Sequence, residues 1–286
     1  MIYLTLASFL WGTSFIAGKF AYQSLDPFLL VQLRMMVASI FILALSFKNI
    51  RQMVQVFHHN RWRFILLSFL IYPATFLLQF LGLKYTSASS ATTMIGIEPL
   101  MIVLLGYIFV KKHTTQYDWI LATVAFLGVG MVVGSSQNNS DISVLGCSLV
   151  LLATIVVATW VLLSKKMLKH VDGHMFTCIT ICLGSILCLP FTLSFSDLNM
   201  SHITVSSFIS VLYLGIGCSF LAAKLWNIGL NRFSANRSGI FLALEPVFGV
   251  LLSVILLNEH IDGISLVGIL IVIIAAFLSQ IIKIKA

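Results

Sequence analysis

The chain has 286 residues, of which 59% are hydrophobic and 9% are charged, and its formal net charge is +8. A soluble domain carries about 25% charged residues, and no water-soluble fold hides this much apolar surface. The composition therefore excludes a soluble protein, and with it a DNA-binding or RNA-binding domain. We assign the excess positive charge to loops that orient membrane helices and contact anionic lipid headgroups.

Ten apolar segments are each long enough to cross a bilayer, which takes about 20 residues of helix. Short polar stretches separate them, so we predict an all-α integral membrane protein with ten transmembrane helices. The predicted segments are 3–22, 28–47, 64–83, 88–110, 117–134, 145–165, 175–195, 205–229, 235–257 and 264–283.

The chain also contains an internal repeat with a constant offset of 147 residues. The stretch from Gly82 to Pro99 matches the stretch from Gly229 to Pro246 in its Gly-Leu start, its Ser-Ala and its Glu-Pro. Because five helices per half is an odd number, the second half must enter the membrane in the opposite orientation. We predict two inverted five-helix repeats, residues 1–137 and 138–286.

Basic residues are distributed unevenly between the two predicted faces. With the N-terminus inside, thirteen Lys and Arg residues fall in inside loops, whereas Lys19 and Lys84 alone fall at outside ends. Positively charged loops remain cytoplasmic, so we predict a multi-pass protein of the cytoplasmic (inner) membrane with both termini in the cytoplasm. Arg34 lies within the second segment, where we expect it to reach toward the outer surface or to pair with Asp26.

Each copy of the repeat carries a Glu-Pro pair within an apolar segment, Glu98-Pro99 and Glu245-Pro246. These carboxyl groups lie about ten residues into the segment, or about 15 Å deep. An ionised carboxylate at that depth is costly unless it is protonated, paired or facing water, and proline weakens the helix around it. Two interpretations remain open: coupling or gating residues that carry a proton or face the substrate, or structural groups that cap freed backbone.

Polar and aromatic side chains in several segments predict the wall of a substrate cavity. Rings provide contact area for organic solutes and hydroxyl or amide groups orient them, although Ser and Thr can bond to their own helix instead. Lys224 is a candidate anchor for a substrate carboxylate or phosphate, with an ion pair to Glu98 or Glu245, or extension toward the inner surface, as the alternatives. The predicted binding residues are Trp11, Ser14, Tyr72, Gln79, Thr92, Thr93, Trp160, Lys224, Trp226 and Asn227.

Several short motifs occur in a fixed order along the chain. They are Trp11-Gly12-Thr13-Ser14 with Lys19, Asp26-Pro27 with Arg34, Gly82 to Ala88, Glu98-Pro99, Trp226-Asn227, Ala235, Glu245-Pro246 and Asn258-Glu259. Taken in order, these motifs resemble the EamA-type transporters of the drug/metabolite transporter superfamily over essentially the whole chain. The resemblance implies ten helices around a cavity lined mainly by helices one, three, four, six, eight and nine. It implies secondary transport, often export, of amino acids, metabolites or drugs.

We therefore expect a secondary transporter that exports amino acids or related metabolites by alternating access, driven by protons or by an exchanged solute. Import or exchange of an environment-derived metabolite and drug efflux remain alternatives. A membrane enzyme is disfavoured, because the sequence lacks HExxH, GxxxxGK[ST] and clustered catalytic residues. For the same reason we expect neither a metal nor a cofactor.

Small residues in the fifth and tenth segments concern the oligomeric state. Gly130 and Gly134 have the GxxxG spacing that commonly marks close helix contacts. A homodimer through these two segments is one interpretation, and packing within a single chain is the other.

Overall fold

The computed structural model describes residues 2–110, 116–134, 142–198, 202–232, 241 and 244–285. Within these ranges the regular structure is helical and no strand occurs. The α-helices are α1 Ile2–Gly12, α2 Ser14–Ala21, α3 Pro27–Leu45, α4 Ile50–His59, α5 Arg61–Phe69, α6 Leu77–Tyr85, α7 Ala88–Ile95, α8 Glu98–Val110, α9 Gln116–Gly134, α10 Val144–Met167, α11 Gly173–Phe195, α12 Val205–Leu212, α13 Ala222–Arg232, α14 Glu245–Leu257 and α15 Gly263–Lys285.

Six helical stretches among the described residues are long and apolar enough to cross a membrane. Three shorter apolar helices accompany them, Trp119–Val133, Glu245–Leu257 and Gly263–Leu278. The chain is thus a multi-pass, all-helical membrane protein, and the count of ten transmembrane helices stays a prediction. The six long stretches are Pro27–Leu45, Arg61–Tyr85, Ala88–Phe109, Val144–Ser164, Gly173–Phe195 and Val205–Trp226.

Two pairs of helix starts follow the repeat in the sequence. Helix α8 begins at Glu98 and α14 at Glu245, which are 147 residues apart. Helices α3 and α11 follow the N-caps Asp26 and Asp172, which are 146 residues apart. The repeated sequence therefore produces repeated local structure at these positions, whatever the orientation of the halves in the membrane.

Two of the long stretches widen into π-helix, at Leu70–Phe76 and at Tyr213–Leu221. In each, a side-chain hydroxyl donates to the carbonyl oxygen five residues earlier: Thr75 to Leu70 at 2.8 Å and Ser219 to Leu214 at 2.9 Å. A π-helical turn is an insertion in the helical ladder that is frequent at functional sites. The helical hydrogen-bond ladder is thus distorted in both halves, directly after α5 in the first half and directly after α12 in the second.

Close packing of glycine backbones joins several helices. A Cβ atom built on Gly128 of α9 would lie 2.7 Å from the carbonyl oxygen of Gly268 on α15, and one built on Gly268 would lie 2.6 Å from that of Gly128. The strong contact between α9 and α15 is therefore formed within one chain. A Cβ built on Gly130 would meet nothing within 4 Å, so Gly128, not Gly130, makes the close contact.

Candidate functional site

Both Glu-Pro pairs lie at the start of a helix. Helix α7 ends at Ile95, and α8 begins at Glu98 within the long stretch Ala88–Phe109. Helix α14 likewise begins at Glu245, with Pro246 in its first turn. Proline in a first turn interrupts no hydrogen bond that the helix would otherwise make, and an acidic residue there is favoured by the helix dipole.

The two helix starts lie next to each other. A Cβ built on Gly96 would be 3.2 Å from Cγ of Pro246, so the break before α8 packs directly on the start of α14. The carboxyl groups of Glu98 and Glu245 are close enough to interact electrostatically. Glu245 is buried and Glu98 is half-buried. The sequence repeat therefore brings two carboxyl groups, one from each half, to a common position.

Helix α1 crosses the same position through Gly12. A Cβ built there would lie 2.6 Å from the carbonyl oxygen of Glu245. On the adjacent turn of α14, a Cβ built on Gly249 would lie 2.3 Å from Cγ2 and 2.7 Å from Oγ1 of Thr92. Glycine is required on α1 and α14 because no side chain fits between these helices and α7.

Thr92 and Thr93 are buried and use their hydroxyl groups within their own helix. Thr92 Oγ1 donates to the Ala88 carbonyl at 2.6 Å, and Thr93 Oγ1 donates to that of Ser89 at 2.8 Å. Both threonines therefore have the self-bonded geometry that the sequence left open as the alternative to solute binding.

Trp11 and Trp226 come together across the two halves. Their ring centroids lie 5.4 Å apart, and the Trp11 indole N–H donates to the Cys218 carbonyl at 3.0 Å. Thr13, just beyond the end of α1, is within 2.5 Å of the Tyr213 hydroxyl. Helix α1 is thus linked to the π-helical segment of the second half at two successive turns.

Two other predicted wall residues, Tyr72 and Trp160, pack against α11. Tyr72 is buried against Gly184 and its hydroxyl is 3.5 Å from that of Thr180. The ring centroids of Trp160 and Phe176 lie 6.3 Å apart with tilted planes, and the Trp160 indole N–H is buried with no hydrogen-bond partner among the described residues. Ser14 and Gln79 are half-buried, and the side chain of Asn227 lies outside the described residues.

Lys224 is exposed rather than enclosed between helices. Its ammonium nitrogen lies 5.7 Å from the centre of the Phe220 ring, within the range of a cation–π contact. In the described part of the chain, no ion pair joins it to Glu98 or Glu245. The ion-pair alternative weighed for Lys224 is therefore absent from this conformation.

Arg34 occupies a different environment from the one expected. It is 2% exposed, and its Nε and Nη2 atoms donate to Oγ of Ser219 at 3.2 and 2.9 Å. The expected partner Asp26 is used elsewhere, as the N-cap of α3 and as acceptor from Ser196 Oγ at 2.6 Å. The expectation that Arg34 reaches the surface or pairs with Asp26 was wrong, because helix α3 turns this side chain toward the second half.

A separate cavity of about 400 Å³ lies where α6 ends and α7 begins. The two lysines assigned to the outer face, Lys19 and Lys84, both line it. Glu259 faces it from the second half and accepts from the backbone N–H groups of Ala88 at 2.6 Å and Ser89 at 2.9 Å. The cavity lining within the described residues is Lys19, Lys84, Tyr85, Thr86, Ser87, Leu257 and Glu259, so it contains no predicted wall residue.

Comparison with known proteins places this architecture in a family. The model of the "EamA-like transporter family" matches residues 1–134 and again residues 144–280. An "Uncharacterized transporter" of Haemophilus influenzae is 40% identical over 142 residues, which cover 49% of this chain and 84% of that protein.

More distant relatives match over nearly the full length. An "Uncharacterized transporter" of Archaeoglobus fulgidus is 27% identical over 96% of this chain and 95% of its own length. The "Uncharacterized transporter YetK" of Bacillus subtilis is 25% identical over 98% of this chain and 86% of its own length. A crystal structure at 18% identity superposes with a TM-score of 0.70 and covers 99% of this chain and 97% of that one, a similarity of fold.

Proposed function

This chain belongs to the EamA-like transporter family of the drug/metabolite transporter superfamily, and we propose that it exports amino acids or related small metabolites by alternating access. A transporter of this type needs a solute site that opens to either side of the membrane as two halves move. The predicted binding residues would face that site in one or more of its states.

One observation carries the proposal: the two Glu-Pro helix starts lie side by side. Glu98 and Glu245 interact electrostatically, and Gly96 packs on Pro246. Broken helices near the middle of the membrane are a recurrent feature of transporters, where they form solute and coupling-ion sites. A structural protein of the membrane would have no need for ionisable groups at such a position, because they are costly there.

We propose ten membrane-spanning helices in two inverted halves, residues 1–137 and 138–286, with both termini in the cytoplasm and the chain in the cytoplasmic membrane. The corresponding helix starts and the double match of the family model support two equivalent halves. The distribution of basic residues supports the orientation. Within this scheme Trp11 and Trp226 contribute one aromatic face from each half.

Substrate-stimulated counterflow tests the proposed activity. Purified protein is reconstituted into liposomes preloaded with one unlabelled solute, and uptake of the same labelled solute is measured across amino acids, nucleoside derivatives and cationic drugs. We expect transient accumulation of at least one amino acid. Accumulation of cationic drugs alone would assign the protein to drug efflux instead, and no counterflow with any solute would refute transport of these classes.

Replacement of the two carboxyl groups tests coupling. We propose that Glu98 and Glu245 carry the coupling proton, so Glu98→Gln and Glu245→Gln should each abolish flux driven by a pH gradient. Counterflow needs no net proton movement and should be retained in at least one of them. Undiminished proton-driven flux in both variants would remove the coupling role and leave the two residues a structural one.

A further inference from the structure

Arg34 is a buried cation at the junction of the two halves. It projects from α3 of the first half to Ser219 of the second. The rings of Phe76 and Phe80 lie 4.4 and 5.0 Å from the centre of its guanidinium group. Cation–π contacts recover part of the lost hydration energy of a buried charge, but much less than an ionic partner does.

Among the described residues, no carboxylate pairs with Arg34. The titratable groups that act on it electrostatically are the thiols of Cys218 and Cys188 and the phenols of Tyr72 and Tyr22. The hydrogen-bond acceptor of its guanidinium group within those residues is Ser219 Oγ, which receives two of the five N–H donors.

The nearby polar groups are also engaged elsewhere. The Tyr22 hydroxyl donates to the Phe80 carbonyl, and the Cys218 thiol donates to that of Leu10 at 3.0 Å. Ser219 donates its own proton to Leu214 at 2.9 Å. A ligand that accepts hydrogen bonds and carries negative charge would satisfy the unused guanidinium donors without displacing any of these contacts.

The scaffold itself does not require a cation here. Helices α3 and α11 start after the N-caps Asp26 and Asp172, so the residue at the equivalent helix position of the second half is Thr180, which is 1% exposed. The same helix position therefore accommodates an uncharged side chain in the other copy. Arg34 departs from the repeat, as a residue selected for a ligand would.

We propose that Arg34 binds the carboxylate group of the transported solute between the two halves. The planar guanidinium matches a carboxylate through two parallel N–H···O bonds, and one cation balances the single charge of a carboxylate better than the double charge of phosphate. The inference rests on the proposed function, because a side chain that is 2% exposed is reached only when the halves move.

The test compares acids with their amides. Detergent-purified protein is titrated with the twenty L-amino acids, with their α-amides and with inorganic phosphate, and affinities are read from ligand-induced thermal shifts. The wild type should bind at least one acid about 30-fold more tightly than its amide, or better. This factor corresponds to the lower end of the binding energy that is lost when one partner of a buried charge pair is removed. In Arg34→Gln this ratio should fall to within about 3-fold, with amide binding little changed.

A structural role for Arg34 would weaken acid and amide equally and leave the ratio unchanged, which would overturn the proposal. So would a wild type that binds no acid, that does not distinguish acid from amide, or that binds phosphate alone. If Arg34→Gln does not fold, Arg34→Lys replaces it in the test. Because the lysine ammonium cannot make the two parallel bonds, the acid-to-amide affinity ratio should fall at least about 5-fold. An unchanged ratio in Arg34→Lys would overturn the proposal.

Lys84→Gln is the matched control, since Lys84 is an exposed cation that lines the separate cavity; we expect it to keep the acid-to-amide ratio. Lys224→Gln tests the anchor predicted from sequence: loss of the ratio there and its retention in Arg34→Gln would overturn the assignment in favour of Lys224. Counterflow with the same solutes separates this inference from the proposed function. Binding at Arg34 without counterflow refutes transport alone, whereas counterflow confined to solutes without an anionic group refutes the carboxylate site alone.

Discussion

The crossing of α7 and α14 provides the sharpest test of the packing. A Cβ added at Gly249 would lie 2.3 Å from Cγ2 of Thr92, whereas carbon atoms pack at about 3.5–4.0 Å. The helices or the threonine must therefore move by more than about 1 Å. Thr92 is buried and branched at Cβ, and the Gly12 carbonyl oxygen lies 2.9 Å from the same added atom, so little room exists for the shift.

The magnitude follows from two opposing terms. Overpacking of a well-filled site costs about 1–3 kcal/mol, and the small freedom at this crossing favours the upper half of that range. Replacing glycine by alanine within a helix returns about 1 kcal/mol. We expect Gly249→Ala to lower the free energy of unfolding by about 1–2 kcal/mol.

A double-mutant cycle checks the cause of the loss. Thr92→Ala removes the two nearest of the atoms that obstruct the added Cβ, so Gly249→Ala should cost about 1 kcal/mol less in that background than in the wild type. The assay is reversible unfolding in mixed detergent micelles as the SDS fraction is raised. Gly130→Ala is the control, because a Cβ there meets nothing within 4 Å, and it should not destabilise. Additive effects of the two changes, or a Gly249→Ala variant as stable as wild type, would refute this packing.

Three further predictions use the same unfolding assay. Glu259→Ala removes a carboxylate that accepts from two N–H groups at the start of α7, so it should lower the free energy of unfolding by about 2 kcal/mol. An unchanged free energy of unfolding would contradict this capping role. Gly128→Ala should destabilise because its Cβ would meet the Gly268 carbonyl oxygen at 2.7 Å; a stability equal to that of wild type would contradict the α9–α15 contact. Asp26→Ala removes the N-cap of α3 and should lower the free energy of unfolding by about 1 kcal/mol. An unchanged free energy of unfolding would contradict this role and show that Ser196 and the two backbone donors find other partners.

Helix positions were predictable because apolar length and polar punctuation define them. The second predicted segment, 28–47, corresponds to α3 Pro27–Leu45, and the seventh, 175–195, to α11 Gly173–Phe195. Breaks within segments were harder to predict. Thr13 separates α1, which ends at Gly12, from α2, and its hydroxyl contacts that of Tyr213, a tertiary partner that the sequence does not reveal.

The candidate site was predicted in part. The repeat pointed to Glu98 and Glu245 together, but not to their place in the first turns of α8 and α14. The environment of Arg34 was predicted wrongly because its position in the sequence indicates its depth in the membrane but not the direction in which its side chain points around the helix axis. One signal was available: Leu30, Arg34, Ala38 and Ile42 are spaced four residues apart, and all are buried.

The orientation of the two halves is the claim on which the account depends most. Gln23 lies just before the N-cap of α3 and His170 just before the N-cap of α11, the corresponding helix of the second half, and both side chains are exposed. We would introduce Gln23→Cys and His170→Cys separately in a chain whose five native cysteines are replaced, and label intact cells with a membrane-impermeant maleimide. Inverted halves predict that the cysteine at 23 is labelled from outside and that the cysteine at 170 is labelled only after the cells are opened; labelling of both from the same side would contradict the account.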